Sequence, residues 1–265
     1  MFERLWLKEE LENKYFHIFI FGVVFTIISL LLTNYILPIK NGLIAVFLIS
    51  LAAAYPMVAY LKVEEDKEEK LIKKHKEKNL LKRHEKELMT YLSFFFGILI
   101  VFVIADFLLP DSFFSSQNEI IKGITGFATF QAGNSMNMGA LSTILLNNLT
   151  IFLLTFALSF VISAGMVFIL VWNASILGVF LSNIISTNPL AALSYLPHGL
   201  LEISGFVLAG ITGALLSHQF EHFKKGHHNK GVFRGILKDI GLLLFIGVIV
   251  IVVGVLIETF VLQVR

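Results

Sequence analysis

Long apolar runs alternate with short polar ones from one end of the chain to the other. The hydrocarbon core of a bilayer is about 30 Å thick and takes about 20 residues of apolar helix to cross. Runs of that order lie at Tyr15–Leu37, Asn41–Leu61, Tyr91–Leu109, Thr143–Val171, Leu200–Ser217 and Ile236–Leu262. A seventh, Ala174–Ser186, is 13 residues long and covers roughly 20 Å at 1.5 Å per residue. It predicts either an oblique crossing or half of a re-entrant loop, because irregular backbone survives at membrane depth only where protein shields it. The pattern as a whole predicts an all-α, polytopic transmembrane bundle of six or seven membrane elements, one of them short or re-entrant.

Composition agrees: 56% of the 265 residues are hydrophobic, 15% are charged and the mean hydropathy is +0.81, against about 25% charged residues in soluble domains. The absence of cysteine excludes disulfides, cysteine-ligated zinc and thiol catalysis. A net charge of +2 gives no basis for binding nucleic acid. The first 14 residues carry both signs of charge, and the apolar run behind them has no small-residue cleavage site. This predicts a retained anchor and not a signal peptide.

Charge then orients the chain, since Lys and Arg collect on the cytoplasmic side. Ten lie between 62 and 90 and four between 218 and 235, whereas the connections at 38–40 and 110–142 hold only Lys40 and Lys122. The expectation is a multi-pass protein of the cell membrane with a cytoplasmic N-terminus and, after seven elements, an external C-terminus. The 62–90 stretch also carries eight acids, among them Glu85 and Glu87, and reads as a solvated, salt-bridge-laced helical hairpin. It divides the chain into an N-terminal transmembrane hairpin (1–61), a charged cytoplasmic linker (62–90) and a transmembrane domain (91–265) that holds nearly every intramembrane polar residue. In the outer connection, Ile120, Ile121, Ile124 and Phe127 are spaced for a short helix on the membrane surface, with an ordinary loop as the alternative.

Candidate chemistry concentrates where the Leu200 helix begins. Leu-Pro-His-Gly-Leu-Leu-Glu at 196–202 sets His198 and Glu202 on one face, and Gly205, Ala209 and Gly213 continue that face at helical spacing. Ionisable groups at membrane depth are costly and point to function, and small residues let helices approach closely in lipid. Both side chains should therefore face the bundle, with Val207 facing lipid. Pro197 suits a first helical turn, where the helix dipole also favours a carboxylate. A helix entering at Ile236 carries Glu258 about 33 Å along its axis, to the level of Asn147 and Asn148 one turn into the Thr143 helix. His198, Glu202, Glu258 and Asn147 or Asn148 could thus form one polar cluster under the outer surface; independent capping or snorkelling is the plainer alternative.

Other signals are weaker. Asn173 stands between the long run and the short one and suits an N-cap. His218-Gln219-Phe220-Glu221-His222, with His227 and His228 behind it, matches an inverted zinc-protease pattern, but a short loop offers no wall to dry such a site. No catalytic residue, metal or cofactor is expected. Glycine-rich phosphate loops and nucleophile elbows are absent from the sequence.

With these residues in view, the second half of the chain, from about 91 to 262, resembles the stage II sporulation protein M family of integral membrane proteins. Pro197-His198-Gly199 with Glu202 is similar to the family's Pro-His-Gly-x-x-Glu signature. Leu146-Asn147-Asn148-Leu149, Asn173 with Gly178, and Leu256-Ile257-Glu258-Thr259-Phe260 follow its order. Ala174 stands where the family usually has glycine, which argues against a backbone role needing positive φ there. The resemblance leaves 1–61 and the charged stretch outside it. In sporulating members the protein is similar to a scaffold that anchors cell-wall hydrolases during engulfment.

The resemblance implies a membrane scaffold or remodelling component with lipid around it, protein partners, room for a homo-oligomer and no nucleic acid. The alternative is a proton- or ion-coupled transporter, or an intramembrane enzyme, using the His/Glu cluster.

Overall fold

The computed structural model describes residues 14–73, 80–130, 138–162, 164–224 and 230–263. Helix α1 (Lys14–Leu31) runs into a π-turn at Leu32–Ile36. Then come α2 (Gly42–Lys73), α3 (Leu80–Leu108), a 3-10 turn (Asp111–Phe114) and α4 (Ser115–Phe130). They are followed by α5 (Met138–Val161), α6 (Gly165–Thr187), the single-turn α7 (Pro189–Leu193), α8 (Leu196–Lys224) and α9 (Lys230–Gln263). No strand forms among the described residues. Seven of these elements, α1, α2, α3, α5, α6, α8 (with α7 leading into it) and α9, are long and apolar enough to cross a membrane.

Local chemistry sets several boundaries. Asn41 caps α2, its Oδ1 accepting from the Leu43 amide at 2.8 Å, as expected of an N-cap side chain. Pro110 follows the end of α3, in keeping with the helix-stopping effect of proline on the residue before it. Asn188 caps α7 through the Ala191 amide at 3.2 Å, with Pro189 at the first helical position. Beyond the span that ends at Ala59, α2 continues as helix to Lys73, and α3 resumes at Leu80. The backbone of the charged stretch is thus helical on both sides, as its pattern predicts.

Two expectations need correction. The Thr143–Val171 run does not form one long helix, nor is Ala174–Ser186 a short or re-entrant element. The chain turns between α5 and α6, where the Gly165 amide donates to the Ile162 carbonyl at 2.6 Å. A Cβ on Gly165 would lie 2.6 Å from Leu158 Cβ, so only glycine allows the chain to reverse this closely. Hydropathy does not register the turn because the residues around it are small and apolar; with the boundary moved, 174–186 is the second half of a full crossing. Secondly, Glu87 is not solvated. It is 2% exposed and lies 2.6 Å from His84, itself 1% exposed, in the first part of α3.

The helices pack in two groups sharing one contiguous core that runs from Ile18 to Val255. In the first, α3 lies between α1 and α6, with α2 against α6; in the second, α8 lies between α5 and α9. Contacts of α8 with α3 and α6 join the two. Because α8 has neighbours on every side, it is buried all round from Gly205 to Leu215. Val207 is 0% exposed, so the expectation that it faces lipid fails: a central helix has no lipid face. Helix α4 packs on α2, α5 and α6, at the end of the bundle where α3, α6 and α9 finish and α5 and α8 begin.

Candidate functional site

At that end, three helices bring polar side chains together. Asn148, about two turns into the span of α5, donates from Nδ2 to Glu202 Oε1 of α8 at 2.8 Å. The Glu202 carboxyl group also lies beside that of Glu258, near the end of α9. An ionised carboxylate only accepts hydrogen bonds, so the two glutamates would bond to each other only with a proton on the pair. Glycine makes room for them: a Cβ on Gly254 would stand 3.0 Å from Glu202 Cγ and 3.3 Å from the His198 carbonyl. The α9 backbone therefore passes directly beside the first turns of α8.

The predicted cluster is partly assembled. Asn148, Glu202 and Glu258 are connected, and Asn148 and His198 are buried. His198 shares the helix face with Glu202 but turns elsewhere: its ring meets Tyr195 edge-on at 5.5 Å, and its buried Nδ1 has no hydrogen-bond partner among the described residues. Tyr195 in turn packs edge-on against Phe180 of α6 at 5.1 Å. Asn147 is exposed. A one-residue step rotates a side chain by about 100° around a helix, which separates the two asparagines.

The structural residues sort in the same way. Pro197 lies in the first turn of α8, which starts at Leu196 rather than Leu200. Gly199 faces Leu177 of α6, and Gly178 is pressed against Phe102 and Leu99 of α3, where a Cβ would be 2.6 Å from Phe102 Cβ. Gly205 faces Ile251 and Gly247 of α9, Ala209 is fully buried, and Gly213 lies against the Phe156 backbone of α5. Asn173 is not a cap. It sits inside α6 and returns Nδ2 to the Ile169 carbonyl at 2.8 Å, the local bond an amide makes when its own helix runs through it.

Sequence reasoning missed a second set of interhelical polar contacts at the same end. Ser182 of α6 donates to Asp106 of α3, Asn183 of α6 donates to Asn118 of α4 at 3.1 Å, and Asn41 donates to Ser116 of α4 at 3.1 Å. Asp106 carried a usable signal, being the lone acid of the apolar run Tyr91–Leu109; the amides and hydroxyls carried none. Among the described residues no three His, Asp or Glu side chains converge in a metal-holding group. Of the zinc-like pattern, the side chains of Glu221, His222, His227 and His228 lie outside the described residues.

The fold and this network define a multi-pass integral membrane protein with, among the described residues, seven helices long and apolar enough to cross a bilayer, tied at one end by buried polar contacts between helices. The chain belongs to the stage II sporulation protein M family, whose model matches residues 43–262. The match begins well before the motif-bearing half: it takes in α2 and the charged connection, which carry no polar signature and so fell outside the motif resemblance. No curated protein and no solved structure matches the chain.

Proposed function

We propose that this protein is a membrane scaffold or remodelling component that acts through protein partners, with α5, α8 and α9 locked together by the Asn148–Glu202–Glu258 network. The observation that carries the reading is that these polar groups meet across three helices, Asn148 donating to Glu202 and Glu202 lying beside Glu258. A closed network of this kind satisfies groups that would otherwise be expensive in lipid and fixes helix register. Family membership supports the same reading, since the resemblance implies assembly with partners. On this view the N-terminus is cytoplasmic and α4 lies on the outer face.

One observation favours a second reading, ion- or proton-coupled chemistry: the Glu202 and Glu258 carboxyl groups lie side by side within the bundle, where a pair of carboxyls can share a proton. Two substitutions separate the readings. Glu202→Gln keeps shape and hydrogen-bonding capacity but removes the titratable group. Glu202→Leu leaves Asn148 and Glu258 unpaired and should cost about 1 to 3 kcal/mol. The scaffold reading expects Glu202→Gln to complement a deletion at normal abundance and Glu202→Leu to fail. A well-folded, abundant Glu202→Gln protein without activity would overturn it in favour of proton coupling.

A further inference from the structure

The first turns of α4 hold three consecutive polar residues that face three ways. Ser116 is bonded to Asn41 ahead of α2, and Asn118 to Asn183 of α6, each at 3.1 Å. Between them Gln117 is 0% exposed. Its amide lies flat on the first turn of α2: a Cβ on Gly42 would stand 2.6 Å from Nε2 and 2.8 Å from Oε1. Neither Nε2 nor Oε1 has a hydrogen-bond partner among the described residues. A primary amide offers two donors and an acceptor, and burying it without partners is unfavourable.

Most of the apolar anchorage precedes α4. Phe113 and Phe114 are buried, and Phe114 meets Phe102 of α3 edge-on at 6.0 Å. Both phenylalanines precede Ser115, in the 3-10 turn. On α4 itself Ile121 packs against the core, whereas Lys122 and Gly123 are exposed and a Cβ on Gly123 would meet nothing within 4 Å.

We propose that α4 is a lid hinged at the Phe114–Ser115 junction, held down by the Ile121 contact and two water-replaceable polar bonds and released by hydration of Gln117. Opening leaves both phenyl rings seated, withdraws Ile121, exchanges the Asn41–Ser116 and Asn118–Asn183 bonds for bonds to water, and relieves the unpaired amide. Closing covers the α2 and α6 junction again. The device is independent of the Glu202 network, which ties α5, α8 and α9.

The absence of cysteine allows a direct test. In nanodiscs, hydrogen exchange of the α4 amides reports opening. Gln117→Leu removes the buried amide and should slow exchange over 116–123 about tenfold, with the 111–114 turn unchanged. Separately, an Asn118→Cys/Asn183→Cys disulfide should suppress α4 exchange when oxidised and restore it on reduction, whatever Gln117→Leu does to folding. Unchanged or faster exchange in a folded Gln117→Leu protein would mean that the amide is satisfied in the closed state. Equal α4 exchange in the oxidised and reduced double-cysteine protein would show that the helix does not lift about this hinge. Either result overturns the lid.

Discussion

At the residue scale, polar side chains here do one of two jobs. Thr26, Thr33, Thr155 and Thr259 return their hydroxyls to carbonyls four residues back, so each satisfies itself and ties nothing to a neighbour. Asn148, Glu202 and Glu258 reach across helices, as do Asp106 and Ser182. His84 and Glu87 form a buried contact within one helix, between the basic connection and the apolar core. Removing one member of a buried pair typically costs about 3 to 5 kcal/mol, whereas an exposed surface change stays within about 0.5 kcal/mol. Glu87→Ala should therefore lower thermal stability in detergent sharply, and Glu85→Ala, at an exposed position, should not. Equal melting points for the two variants would mean that the buried pair contributes nothing.

At the scale of elements, the small residues of α8 serve two neighbours in succession. Gly205 and Gly213 are eight residues apart, and eight steps of about 100° leave an offset of about 80°. The stripe read from the sequence as one face therefore turns from α9 at Gly205 to α5 at Gly213. A Cβ at Gly205 would already stand 2.6 Å from Ile251 Cγ1 and 3.2 Å from the Gly247 carbonyl, leaving no room for a longer side chain. Gly205→Leu should cost about 1 to 3 kcal/mol through overpacking, measurable as a lower midpoint of unfolding in detergent. Val253→Leu, at an exposed position of α9, should leave the midpoint unchanged, and a matching loss there would mean that the α8–α9 contact is not what the glycine protects.

At the scale of the whole molecule, seven crossings in alternating directions put the connections rich in Lys and Arg at one end and α4 at the other. With basic residues inside, single cysteines at Glu65, Glu119 and Lys225 should be shielded, labelled and shielded when intact cells meet an impermeant thiol reagent. External labelling of position 65 would reverse the orientation and move α4 and the Glu202 network to the cytoplasmic side.

Hydropathy determined by itself that the protein is an all-α membrane bundle, because apolar runs of bilayer length admit little else. The residues also placed Asn147 or Asn148, His198, Glu202 and Glu258 at one depth, since depth along a helix can be counted at a fixed rise per residue. Rotation about the axis and the choice of neighbour cannot be counted in that way. Hence only the tertiary structure decided that His198 turns to Tyr195, that Asn147 faces out, that Val207 is buried within a central helix and that Asn173 lies inside α6. The turn at Gly165 belongs with these: a reversal built from small apolar residues leaves hydropathy unchanged and shows only in how closely two backbones meet.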